Sequence, residues 1–373
     1  MFCSSSHTNR AFFVPRLGIC LTFLLTAILA LASCAPTAQP SPTSAPKAPA
    51  EATKQGPQAT TAAVAPAAAK APVEIRLGDG FAAEETLWLM KAKPDLTPNQ
   101  GKVYKLTLTP FRANTDRFTA YQAGQLDGGT VAAFTALFAR SQNIPIKVVA
   151  SISREAAKGE RSTFLTLENS GINSAADLKG KTVGIVDYKS STDLWARTAI
   201  AKAGLNPDRD VKIVVVPFPA MGESLRTKKI DAGVFPQPFL AMEESKGGLK
   251  KLFDSVSAVG FDQELMQLFF NPDFLKKNPD AVKAFLGDFV SATKWYLANP
   301  QAARQALIDA KMVQADAKIY LNMKDYYRAP DARPDIESMK KLNDMLVDQF
   351  GWIEKDKKID VDDLYDLSYL PAR

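Results

Sequence analysis

Val73-Glu74-Ile75-Arg76-Leu77-Gly78-Asp79 and Thr182-Val183-Gly184-Ile185-Val186-Asp187 carry the architecture of this chain, because they are two versions of one pattern. Each is a short apolar strand that runs into a loop and then a helical segment, and Asp187 closes the second as Asp79 closes the first. The echo continues outward. Val103 to Thr109 reads as a strand closed by Pro110-Phe111, and Val211 to Val216 as one closed by Pro217-Phe218, at nearly the same offset. Gln125-Leu126-Asp127-Gly128-Gly129 ends a helix and opens a strand; Lys229-Ile230-Asp231-Ala232-Gly233 does the same in the second copy. Strand, helix, strand, helix, strand thus occurs twice, which predicts parallel-type α/β sheets with right-handed crossovers in two lobes.

Length and composition leave room for that. The chain has 373 residues and is 46% hydrophobic, enough for two lobes with cores. Its single histidine is His7 and its cysteines are Cys3, Cys20 and Cys34. Beyond Cys34 there is no imidazole for a Ser-His-Asp relay or an HExxH zinc site, and no thiolate for a CxxC pair, an Fe-S cluster or a disulfide. No cofactor or metal is expected.

The N-terminal stretch reads as an address. Arg10 and Arg16 precede an apolar run from Leu17 to Ala32 that ends in Leu31-Ala32-Ser33-Cys34. The run is shorter than the roughly 20 residues a membrane span needs. A signal peptide over residues 1–33 is expected, with Cys34 lipidated after a lipobox. Residues 35–72 are mostly Ala, Pro, Thr, Ser and Gln with no aromatic residue, an extended tether. The net charge of +6 divides into +2 from Arg10 and Arg16, +2 from the tether (Lys47, Lys54 and Lys70 against Glu51) and +2 for the body. So weak a positive balance predicts no nucleic-acid partner.

In open α/β sheets ligands bind beyond the carboxyl ends of the strands, at a topological switch point. The loops at issue are therefore Asp79 to Glu84, Pro110 to Thr115, Thr130 to Thr135, Asp187 to Asp193, Pro217 to Gly222 (with Met221) and Val234 to Pro238. Ser190, Ser191 and Thr192 fall between a strand and a helix, where free N–H groups meet the positive end of the helix dipole; they either cap their own helix or hold an anionic head group. Phe81, Phe134, Tyr188 and Phe235 offer rings to a ligand or to the core, whereas Phe111 and Phe218 are expected in the core. Arg112 is the arginine of these loops, suited to pair bidentately with a sulfonate or carboxylate. Asn114, Ala133, Thr135 and Gln237 complete the set.

Here the residues resemble a known family. Ala176-Asp177-Leu178-Lys179-Gly180-Lys181-Thr182-Val183-Gly184-Ile185, then Ser190-Ser191-Thr192, Ala203-Gly204-Leu205-Asn206-Pro207 and Lys229-Ile230-Asp231-Ala232-Gly233-Val234-Phe235 with Pro236-Gln237-Pro238-Phe239, is similar to the substrate-binding proteins of ABC importers for nitrate, sulfonate, taurine and thiamine-pyrimidine precursors. Gln122-Ala123-Gly124-Gln125-Leu126-Asp127 echoes the family's motif in its first lobe, and Gln237 stands where the family often carries an acid. The resemblance implies an α/β, two-lobe, type II periplasmic-binding-protein fold: two mixed, mainly parallel sheets joined by two crossover strands. It further implies a monomeric, non-enzymatic receptor, lipid-anchored on the extracytoplasmic face, with a small-molecule ligand and an ABC permease and ATPase as partners. The lobes are then 73–165 with 263–373, and 166–262, with Arg161 to Glu168 crossing outward and Phe261 to Phe270 returning.

Two alternatives stay open. A branch related to this family makes the thiamine pyrimidine by sacrificing a histidine, which a body without histidine does not suit. A ligand-sensing lipoprotein without a permease is the other. Gly180-Lys181-Thr182 imitates a P-loop but precedes a strand and has Ala175 at the first glycine position, and the aspartates from Asp356 to Asp366 lack a calcium-loop pattern.

Overall fold

A computed structural model describes residues 71–373, apart from Ala113 and Gln314. The expected signal peptide, Cys34 and nearly all of the expected tether lie outside the described residues. The chain forms β1 (Val73–Asp79), α1 (Glu85–Ala92), β2 (Tyr104–Pro110), α2 (Asn114–Gln122), β3 (Gly128–Ala132), α3 (Ala133–Ser141) and β4 (Lys147–Glu155). There follow β5 (Thr163–Leu167), β6 (Thr182–Ile185), α4 (Ser191–Lys202), β7 (Lys212–Val215), α5 (Phe218–Arg226), β8 (Ala232–Phe235), α6 (Phe239–Lys246), β9 (Leu249–Asp254) and α7 (Ser255–Val259). The last strand is β10 (Gln263–Phe270), after which come α8 (Pro272–Lys277), α9 (Pro279–Ala298), α10 (Pro300–Asp309), α11 (Ala317–Asn322), α12 (Ile336–Asp344) and α13 (Val361–Leu364).

Two five-stranded sheets result, in the orders β2-β1-β3-β10-β4 and β7-β6-β8-β5-β9. They share one plan. Strands β1, β2 and β3 are mutually parallel, as are β6, β7 and β8, and the fourth position of each sheet is antiparallel to both its neighbours. That fourth strand is β10 in one sheet and β5 in the other, the two strands that carry the chain between sheets. The outward crossing is residues 156–162 and the return is residues 260–262. Strand β5 spans the 165/166 boundary expected from sequence and pairs wholly within the second sheet.

Register shows how deep the duplication runs. Leu77 and Gly78 pair with Gly128 and Gly129; Val183 and Gly184 pair with Ala232 and Gly233. Gly78 is thus the counterpart of Gly184. Asp79 then aligns with Ile185 rather than with Asp187, because β6 ends at Ile185 and Val186-Asp187 already belong to the loop. These glycines admit a helix. A Cβ on Gly78 would lie 2.7 Å from Arg117 Cγ and 2.9 Å from Leu126 Cδ1; one on Gly184 would lie 2.7 Å from Met221 Sδ and 2.8 Å from Ile230 Cδ1.

Helix α9 forms because Val282, Phe285, Leu286, Phe289 and Val290 recur at helical spacing, with Pro279 pre-set for its first turn. All are buried against Ile75, Leu77, Val149 and Leu268 of the first sheet. Each such side chain contributes roughly 1.5–3 kcal/mol by leaving water. Met339, Leu342 and Leu346 are buried in the larger cluster that also holds the core of the second sheet.

Candidate functional site

Strand ends create the site in each sheet, since parallel strands bring their following loops to one edge. In the first sheet the loop after β1 is shaped from beneath. Glu84, 1% exposed, accepts the Gly80 N–H at 2.9 Å and the Thr130 hydroxyl at 2.7 Å. Arg117, also buried, donates from one nitrogen to Thr130 O and Thr130 Oγ1, both at 2.6 Å. Asp79 accepts from Trp88 Nε1 at 3.0 Å, while its other oxygen and Arg117 Nε have no partner among the described residues. Burial pushes Glu84 up to about 7 and Asp79 up to about 6, against the opposing pull of Arg117. Above this cluster the loop puts Phe81 in solvent, 47% exposed.

The other expected residues of this edge divide by burial. Arg112 is exposed, and Asn114 and Thr135 are half-buried. Ala133 and Phe134 are enclosed, each 1% exposed. Phe134 lies 4.9 Å from the Phe138 ring and edge-on to Trp352 at 5.7 Å, the core alternative of the two its sequence left open.

The second sheet supports its first loop differently. Ser190 caps α4, accepting from Asp193 N at 3.4 Å and donating to Asp187 O at 2.7 Å. Thr192 Oγ1 lies 2.8 Å from Ser190 Oγ and accepts from Val186 N at 3.1 Å. Asp193 receives the Lys189 N–H at 2.8 Å and Arg197 Nε at 2.7 Å. Two of the three hydroxyls expected at a ligand therefore hold their own turn, and Ser191, half-buried, is the one with no partner among the described residues.

Tyr188 is 53% exposed, but its hydroxyl donates to Ile213 O at 3.2 Å, which lays the ring back along β7. Phe235 and Met221 are enclosed as Phe134 is, at 1% and 0% exposed; the Met221 thioether fills the space over Gly184 and Gly233. Gln237, 1% exposed, accepts from Ala241 N at 3.2 Å and gives its own N–H to Tyr326 Oη at 2.9 Å. Of the residues named from sequence, Phe81, Arg112, Asn114, Thr135, Tyr188, Ser190 and Ser191 thus keep accessible surface at the strand ends. The Asp79-Glu84-Arg117 cluster and Tyr326 were missed. A pair of adjacent acids at Glu84-Glu85 was the sole hint of the first, and nothing local announces the second.

Among the described residues no group of His, Cys, Asp and Glu could hold a metal ion, and no helix is long and apolar enough to cross a membrane.

Comparison with known proteins fits this geometry. The chain is 28% identical over 131 residues to the nitrate/nitrite binding protein NrtA of Nostoc sp., covering 35% of this chain and 29% of that protein. It is 29% identical over 201 residues to a 4-amino-5-hydroxymethyl-2-methylpyrimidine phosphate synthase of Saccharomyces cerevisiae, 51% of this chain and 57% of that enzyme. In both cases less than two thirds of the relative is spanned. The fold matches the periplasmic aliphatic sulphonate binding protein SsuA from Escherichia coli with a TM-score of 0.62, at 18% identity, over 78% of this chain and 91% of that one. The family described as NMT1/THI5 like matches residues 105–303, more than half of the chain. This protein therefore belongs to the NMT1/THI5-like family.

Proposed function

We propose that the chain is an extracytoplasmic solute receptor of an ABC importer, closing two lobes around a small organic ligand that is anionic and sulfonate-like or pyrimidine-like. The observation that carries the reading is the shared plan of the two sheets: equivalent strand-end loops, with the connecting strand inserted at the same place in each. Such a pair closes by hinge motion, and ligand contacts made in the closed form alone shift the balance toward it. NrtA and SsuA, by their names, bind nitrate or nitrite and aliphatic sulphonates. The rings of Phe81 and Tyr188 favour an organic solute over a bare ion. Ser191, with the Ser191 and Thr192 N–H groups that open α4, and Arg112 supply the polar contacts. The lobes in this reading are 73–165 with 263–373, and 166–262.

Delivery requires a permease and an ATPase, and attachment would come through diacylglycerol on Cys34, with the receptor working as a monomer. A Cys34→Ala chain that still partitions with the membrane and still takes up labelled palmitate ends the anchoring proposal.

Similarity to the pyrimidine phosphate synthase raises catalysis as a second reading. His7 being the single histidine speaks for binding, since a histidine-consuming synthesis has no substrate residue in the body. The deciding experiment is titration calorimetry against taurine, an alkanesulfonate, nitrate and an aminopyrimidine. Saturable 1:1 binding without turnover supports the receptor; release of a new product from any of them removes it.

A further inference from the structure

Tyr326 lies between α11 and α12, far along the chain from every strand-end loop, and is 3% exposed. Its hydroxyl receives the Gln237 N–H at 2.9 Å and stands 3.3 Å from Ser162 Oγ. The direction of these bonds follows from the partner beyond. Ser162 Oγ gives its proton to Glu155 Oε1 at 2.6 Å. Tyr326 therefore donates to Ser162 and accepts from Gln237. Glu155 completes the set by receiving the Ser162 N–H at 2.8 Å and the Ser255 hydroxyl at 2.6 Å.

One buried chain of donation thus runs Gln237 to Tyr326 to Ser162 to Glu155. It starts in the loop after β8, passes through a segment that follows α11, enters the outward crossing and ends on the last residue of β4. Tyr326 is itself held. Arg154 N–H donates to Tyr327 O at 2.9 Å and Glu160 N–H to Asp325 O at 2.7 Å, forming a short third strip beside the outward crossing. A side chain on Gly159 would run into the backbone nitrogen of Tyr327. Arg328, fully buried, pairs with Glu85 and with Asp325 and donates to Ile152 O at 3.1 Å. The segment Asp325–Arg328 is bonded to the first sheet and the crossing, while Gln237 follows a strand of the second.

We propose that Tyr326 is a positioning residue for the loop Pro236–Pro238: its hydroxyl fixes the backbone of Gln237 and, through Ser162 and Glu155, ties that loop to the crossing between the sheets. That the loop borders a solute rests on the receptor reading; the tie itself does not.

Amide hydrogen exchange on the full chain, with no solute added, tests it. Tyr326→Phe removes one oxygen and should speed exchange at Gln237 at least tenfold while β6 keeps its protection. Ser162→Ala should give a smaller rise, since Tyr326 can still accept from Gln237. Tyr104→Phe is the control, a buried tyrosine whose hydroxyl bonds Asp288 at 2.8 Å within the first lobe, and should leave Gln237 unchanged. Unaltered exchange at Gln237 in Tyr326→Phe, or an equal rise in Tyr104→Phe, overturns the proposal. Should Tyr326→Phe not fold, the absence of any rise in Ser162→Ala overturns it instead. A Tyr326→Phe protein with freed Gln237 and undiminished solute affinity upholds the tie and removes this loop from the solute site.

Discussion

Where the second sheet is closed by Met221 and Ile230, the first is closed by Arg117 and Leu126, the residues at equivalent positions of the repeat. Both pairs sit over the equivalent glycines Gly78 and Gly184, so backbone geometry is equal and chemistry is not. A thioether fills space by dispersion alone and tolerates adjustment. A guanidinium in the same niche brings Glu84 and Asp79 with it, and all three are buried. The duplicated plan therefore dictates where a helix meets a strand, but leaves the residue there free to be apolar filler or part of a charged cluster.

The strongest way to break this contrast is to make the first sheet resemble the second. At about pH 9, where both buried carboxylates are ionised, Arg117→Met removes the guanidinium that opposes their burial and should cost about 3–5 kcal/mol in urea unfolding. A loss below about 1 kcal/mol would mean the charges are already neutralised in the fold.

Next comes pH. Glu84 titrates near 7 in the folded protein and near 4.5 unfolded, so the folded chain holds a proton that the unfolded chain has released between those values. Stability is fully present below about 4.5 and is lost as pH rises through about 7, by roughly 3 kcal/mol for this group. Glu155, also raised to about 7 by burial, adds a slope of the same sign. The diagnostic is therefore the flattening of the melting profile between about pH 5 and 8 in Glu84→Gln, and an unchanged slope contradicts the account.

A subtler contrast lies in the glycines. Gly78→Ala meets the stem of an arginine pinned at Thr130, whereas Gly184→Ala meets the yielding end of Met221. The first should cost about 2 kcal/mol and the second about 1 kcal/mol. Reversal of that order in paired denaturation curves would show that the pinned side chain is the more compliant.

The smallest effect concerns Ser191. With its hydroxyl unpartnered among the described residues, Ser191→Ala should change stability by less than about 0.5 kcal/mol, while Thr192→Ala costs about 1 kcal/mol by freeing the Val186 N–H. Any loss of solute affinity in Ser191→Ala is then a contact and not a folding defect.

The fold was legible because its signals are local. Apolar runs such as Val211 to Val216, closed by Pro217-Phe218, announce a strand and its end without reference to the rest of the chain. Repetition supplied the remainder, pairing each run with a counterpart. The site was less legible because a ring in a strand-end loop carries no mark of its partners. Phe134 and Phe81 look alike in sequence, yet one lies beside Phe138 and Trp352 and the other meets solvent. Ser190 and Thr192 read equally as a cap or as ligand donors, and only the turn beneath them shows both hydroxyls in use there. Arg117 belongs to α2 and Glu84 to the loop before α1, and Tyr326 lies past α11 while Gln237 follows β8, so no spacing rule could have joined either pair.

Hydrogen exchange with and without a saturating alkanesulfonate, and in parallel an aminopyrimidine, probes most directly whether two repeated halves grip one solute. Slower exchange should arise together in residues 79–84 of the first half and 187–193 of the second, at one bound molecule per chain. Protection confined to one half, or placed away from both loops, would contradict the account.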